Sequence, residues 1–197
     1  MKESIFNIKT EKEYIKLKNK VNINEVDSNG DNALFRFDLF GGESNSRAKW
    51  LIKHGINIHH VNNRGRNALW IVDYEDGKVL VDAGIDINHI DNIGQNALFG
   101  IPPRQLTELL IDRGININHL DNDGNNVITY CYDEDFVNLL ISKEINLSHF
   151  RENPDCINKI SYLKIREMIM ERLIQEEKGI LLKVIDTVKP EQKIKRS

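Results

Sequence analysis

Between residues 21 and 144 the apolar and polar positions follow one pattern four times over. Each copy opens on an alternation led by a β-branched residue, Val21-Asn22-Ile23 in the first and then Ile56-Asn57-Ile58, Ile85-Asp86-Ile87 and Ile115-Asn116-Ile117. Such alternation places apolar and polar side chains on opposite faces, which predicts a short, half-buried extended segment. A turn of the form Asp/Asn-x-x-Gly follows at residues 27–30, 62–65, 91–94 and 121–124. Asp or Asn opens such a turn by accepting from backbone ahead of it, and Gly supplies positive φ without a steric penalty. Two residues further on stands Asn32, Asn67, Asn96 or Asn126. Asparagine is among the best helix N-caps, so a first helix is predicted to start there. Ala33-Leu34-Phe35, Ala68-Leu69-Trp70 and Ala97-Leu98-Phe99 open its buried face, with Val127-Ile128 in the fourth copy.

After a short break a second helix is predicted, its apolar stripe clearest in Leu106, Leu109 and Leu110. Pro102-Pro103 suits its start, where a missing N–H is harmless. Gly55, Gly84 and Gly114 suit a left-handed C-terminal cap. Glu144 takes that place in the fourth copy, which predicts a looser ending there. The period divides the chain into 1–20 (a capping half-repeat), copies at 21–55, 56–84, 85–114 and 115–144, a degraded copy with capping helices at 145–185, and a solvated tail at 186–197. A unit of turn, helix, turn and helix has too little surface to cover its own apolar face, so copies must stack. The predicted fold class is an all-α solenoid of helix pairs with short β-like turns, with no boundary inside copies two to four.

Two stretches carry a family resemblance. D-N-x-G-x-N-A-L-F stands where the ankyrin repeat family has D-x-x-G-x-T-P-L-H, and L-L-I-D-x-G-I-N-I-N-H stands where it has L-L-L-x-x-G-A-D-V-N. The chain resembles that family from residue 21 to about residue 150. Its copies run to 29 or 30 residues beyond the first, against about 33 in the family, so one or both helices must be clipped. Asn-Ala-Leu-aromatic in place of Thr-Pro-Leu-His keeps the cap and loses the Thr–His hydrogen bond. Short, divergent repeats of this kind are similar to ankyrin proteins in bacterial toxin–antitoxin-like gene neighbourhoods, some of which serve as immunity proteins. The resemblance implies an ankyrin-type solenoid that binds other proteins.

Charge sharpens the picture. The net charge of −3 conceals +3 over residues 1–20, −9 over 21–144 and +3 over 145–197. An acidic array disfavours phosphate backbones and attracts basic partners, so no nucleic acid is expected. The two cysteines, Cys131 and Cys156, form no C-x-x-C and are read as buried, reduced thiols. The N-terminus lacks a signal-peptide pattern and no apolar run is long enough to span a bilayer, so a cytoplasmic protein without membrane contact is expected.

His60, His89, His119 and His149 recur at equivalent places, with His59 beside the first. A metal needs ligands converging within about 2 Å, whereas stacked helices sit roughly 8–10 Å apart. The histidines are therefore read as a structural ladder bonded to turn backbone, with no metal. The acids of residues 73–76 and 133–135 suit the first turn of a second helix. No phosphate loop, H-E-x-x-H or G-x-S-x-G is present, so neither catalysis nor a cofactor is expected.

What remains is a surface. The ankyrin pattern puts contacts at the turn tips, here Ser28, Asn29 and Asp31; Asn63, Arg64 and Arg66; Asn92, Ile93 and Gln95; and Asn122, Asp123 and Asn125. It adds Arg36, Ile71, Gly100 and Thr129 after each aromatic, and Tyr74 and Tyr132 as aromatic anchors. Ile93 is the position that folding explains least. The expected protein is a free monomer and a non-enzymatic binder, an immunity-type protein that neutralises a basic toxin domain. The second reading is an adaptor or secreted effector engaging a host protein.

Overall fold

The computed structural model describes residues 3–8, 10–36 and 47–188, without the side chains of 11 and 183–188. The insertion that lengthens the first copy, residues 41–45, lies outside the described residues, as does the expected 186–197 tail from residue 189 onward; residues 186–188 are helical instead. Every regular element among the described residues is helical, and the chain divides into two compact units, Met1–Val127 and Ile128–Ser197. The division falls inside the fourth copy, where the repeat pattern predicted no boundary. It coincides with the replacement of Ala-Leu by Val127-Ile128, and with the loss of the asparagine cap. The Oδ1 of Asn126 is buried without a hydrogen-bonding partner among the described residues.

The first unit opens with helix α1 (Glu11–Leu17), started by a full capping box in which Glu13 N–H donates to Thr10 Oγ1 and Thr10 N–H to Glu13 Oε2. Tyr14 is buried, 4.6 Å from the Trp50 ring on helix α2 (Arg47–Lys53), whereas the next residue, Ile15, is exposed. Helices α3 (Tyr74–Asp82) and α4 (Arg104–Asp112) are the second helices of copies two and three. Leu51, Leu80, Leu106 and Leu110 are fully buried, and a Cβ added to Gly77 would lie 2.5 Å from Leu106. The missing side chain of Gly77 is therefore what lets α4 pack closely on α3.

The first helix of each copy shrinks to a single 3-10 turn: Ala33–Phe35, Ala68–Trp70 and Ala97–Gly100. In copies two and three the short period leaves no residues for more, and in copy three Pro102 and Pro103 bar the preceding backbone from the α region. The opening I-N-I segments are also not extended strands. Asn57, Asp86 and Asn116 each accept from the N–H two residues ahead, folding the stem into tight turns. The C-terminal caps are as expected. Gly84 has φ +89°, with Gly84 N–H on Val81 O and Ile85 N–H on Leu80 O, the two bonds of a Schellman ending. Glu144 does not loosen this ending; it adopts φ +62° and keeps the equivalent bonds to Ile141 and Leu140.

The second unit holds helices α5 (Glu134–Ser142), α6 (Ser148–Glu152), α7 (Asp155–Lys159) and α8 (Leu163–Val188). Phe136, Val137, Leu140, Phe150, Ile165 and Ile169 form its core. Arg151 reaches Leu173 O and Glu176 Oε2, and Arg166 reaches Ile160 O, fixing α8 on the shorter helices. Helix α8 runs unbroken through Gly179, and Ile174 is exposed.

Candidate functional site

The turns are the most repetitive structure in the first unit, and each is built from one carboxylate or amide. Asp27 Oδ1 accepts from Asn29 and Asp31 N–H, Asn62 Oδ1 from Arg64 and Arg66, and Asp91 Oδ1 from Ile93 and Gln95. Asp121 repeats this with Asp123 and Asn125.

Consecutive turns are then laced together by backbone and side chains. Asn63 N–H donates to Asn29 O, Asn92 N–H to Arg64 O and Asn122 N–H to Ile93 O, at 3.0–3.1 Å. The amides of Asn63, Asn92 and Asn122 reach back to Ser28 O, Asn63 O and Asn92 O. A Cβ on Gly30, Gly65 or Gly94 would lie within 2.4 Å of the next asparagine's Oδ1, so glycine is required twice over, for space and for φ.

The histidines complete the lacing. His60, His89 and His119 donate from Nε2 to Gly30 O, Gly65 O and Gly94 O, each at 2.6 Å. A carbonyl only accepts, so the facing nitrogen carries the proton. The predicted ladder is thus observed for three histidines. His149 departs from it, because residues 148–152 are helical, and its Nε2 is buried without a partner among the described residues.

Asn32, Asn67 and Asn96 serve two elements at once. Each accepts from the N–H of Leu34, Leu69 or Leu98, and donates to Asn57 O, Asp86 O or Asn116 O of the next stem.

This lacing revises the predicted contact residues. Gln95, Asn125 and Thr129 are buried and have no surface to offer a partner. Gln95 Nε2 instead lies 3.4 Å from Asp121 Oδ2, and Asn125 Nδ2 turns onto Asp121 Oδ1. Arg66 and Asp31, both half-buried, are the matching links one and two copies earlier. Asp31 Oδ1 accepts from Asn62 Nδ2 at 2.8 Å, and Arg66 Nε donates to Asp91 Oδ2 at 3.0 Å. Arg36 is half-buried 5.4 Å from the Phe6 ring, and Tyr74 is half-buried at the start of α3. Asn29, Asn63, Arg64, Asn92, Asn122 and Asp123 remain exposed, as do Gly100, Ile93 at 53% and, in the second unit, Tyr132 at 63%.

Some of the predicted residues converge. Ser28, Asn29, Asp31, Asn63, Arg64, Arg66 and Ile71 line one groove of about 280 Å³, together with Asn62, Phe35 and Trp70. The Arg66 guanidinium lies 4.0 Å above the Trp70 ring, which fixes it at the groove wall. Phe35 and Trp70 are mostly buried, and Trp70 Nε1 has no partner among the described residues. The groove therefore combines aromatic edges, one aliphatic side chain, two arginines and one carboxylate. The tips of copies three and four, including Ile93, lie further along the turn row and do not line it.

A buried ion pair escaped the sequence reading. Arg47 and Asp76 each stand eight residues before the capping glycine of their copy, the place held by Leu106 in copy three. They pair at 3.0 Å, and Asp76 also accepts Ala48 N–H. Counting back from each glycine would have revealed opposite charges at equivalent stacked positions.

Two further acids cap helices. Asp73 accepts Asp76 N–H and Asp133 accepts Phe136 N–H, as expected of first-turn acids. Both cysteines are buried thiols outside any disulfide, and burial pushes the Cys131 thiol up to about 12, leaving it protonated at neutral pH. Among the described residues no cluster of His, Cys, Asp or Glu is arranged to hold a metal, and no helix is long and apolar enough to cross a membrane. No family model matches the chain, and no curated protein matches it.

Proposed function

We propose that this chain is an ankyrin-type repeat solenoid that acts without catalysis, binding another protein along its turn row, and that it is an immunity-type protein neutralising a basic toxin domain in the cytoplasm. The observation that carries the reading is the groove at residues 28–31, 62–66 and 70–71. Seven of the eighteen contact residues expected from the repeat pattern meet there, on turns held rigid by cross-copy hydrogen bonds. Rigid turns lose little freedom on binding, so contacts made there convert efficiently into affinity. The acidic balance of residues 21–144 favours a basic partner by long-range attraction. The groove's own arginines restrict this to a partner presenting an acid or carbonyl at that point within a basic surface.

The test begins with affinity capture from the source cells, followed by quantitative binding of the captured protein. Arg64→Glu combined with Ile93→Asp should weaken that binding at least about tenfold, a loss of roughly 1.4 kcal/mol, with the thermal midpoint unchanged because both residues are exposed. Undiminished binding by the double variant would place the contact elsewhere. Co-expression separates the two functional readings. A partner that arrests growth alone and is silenced by this chain supports immunity. A partner without effect on growth supports an adaptor or effector.

A further inference from the structure

Helix α8 has two apolar faces, and the fold covers one of them. At about 100° per residue, Ile165, Ile169 and Leu173 share the covered face. Leu163, Met170, Ile174 and Leu181 fall within about 20° of a second line, roughly 120° away. All four are exposed, Leu163 at 64% and Leu181 at 60%. Steps of seven, four and seven residues are those of a coiled-coil seam, here about 27 Å long. An aligned apolar stripe of this length on a folded surface marks a place where another surface belongs.

Two features of the stripe point to a second copy of the same helix. The spacing is symmetric about residue 172: Leu163 mirrors Leu181, and Met170 mirrors Ile174. A second α8 laid antiparallel therefore meets apolar with apolar in every layer. The same reversal sets Glu167, on one edge of the seam, beside the partner's Lys178, and twofold symmetry repeats the pair. Both residues are exposed. In a parallel arrangement Glu167 would face the partner's Arg166, whose guanidinium is already engaged with the carbonyls of Asn158 and Ile160 at 3.2 and 2.6 Å. A lipid surface fits less well, because Glu167, Glu171 and Glu177 flank the stripe, where an interfacial helix carries lysine and arginine.

We propose that this face of α8 is the seam of a homodimer, two helices crossing antiparallel about residue 172. This replaces the monomer expected from the repeat pattern, and it stands independently of the groove in the first unit. Sedimentation equilibrium on the full chain, over a range of concentrations, tests it. The wild type should show a reversible monomer–dimer equilibrium. Met170→Glu combined with Ile174→Glu should sediment as a monomer throughout, with unchanged circular dichroism since both side chains are already exposed. Glu167→Lys and Lys178→Glu should each weaken the dimer several-fold, and the two together should restore it. A wild-type monomer at every concentration, or a dimer indifferent to Met170→Glu and Ile174→Glu, overturns the proposal. A dimer that the charge exchange fails to restore overturns the antiparallel register.

Discussion

Asn62 shows how much the fold asks of a single side chain. Three of the four turns open with aspartate, and this one opens with asparagine. Its Oδ1 does the work of the aspartates, accepting from Arg64 and Arg66 N–H, while its Nδ2 donates to the carboxylate of Asp31 in the preceding turn. In the next two links the polarity is reversed, with Arg66 and Gln95 donating to Asp91 and Asp121. Donor and acceptor are thus matched link by link, and Asn62 departs from aspartate because Asp31 stands above it. Asn62→Asp would leave the turn's acceptor intact and bring two carboxylates together. It should destabilise the protein by about 1–3 kcal/mol, measured by urea unfolding, and Asp31→Asn in the same chain should recover most of the loss. An unchanged midpoint for Asn62→Asp would show that this link contributes nothing. The turn residues and the asparagine caps were legible in the sequence because each makes bonds fixed by local spacing, and three of the histidines because they recur at one place in successive copies. Which tip residues face outward was not. Gln95 and Asn125 look like any polar tip until the neighbouring turn is in place.

At the level of elements, the second helices were legible and the first ones were not. Leu106 and Leu110 announce α4 by their spacing, and Gly114 ends it at φ +91°. The first helices have the right cap and the right apolar opening, yet stop after one 3-10 turn. The signal that a period of 29 or 30 residues clips something was present; which helix gives way depends on the chain between the aromatic and the next helix, where copy three carries two prolines. The Glu144 ending is a comparable case. Local preference predicts fraying, whereas the bonds from Glu144 and Ile145 to Ile141 and Leu140 hold it in the left-handed region. That conformation costs a non-glycine residue about 1 kcal/mol or more. Glu144→Gly should therefore raise stability by about 1 kcal/mol, visible as a higher thermal midpoint. A lower midpoint would mean that the glutamate side chain contributes more than the backbone relief.

For the whole molecule, the repeat explains the first unit better than the second. Residues 21–127 repeat one set of bonds between neighbouring turns, and those bonds leave tips and a groove on the outside, the surface proposed for recognition. From residue 145 the signature fades, and Asn153-Pro154 replaces the turn. Helices α5 to α8 pack by ordinary apolar burial, so nothing in the repeat pattern foretold the uncovered stripe of α8. The turns of the first unit are hydrogen-bonded to one another although they lie at the surface. Residue-resolved hydrogen exchange reads those bonds directly, at the amides of Asn63, Asn92 and Asn122, which donate to Asn29 O, Arg64 O and Ile93 O. Protection close to that of the amides inside α3 is the predicted result, and exchange as fast as in an unstructured peptide would contradict it.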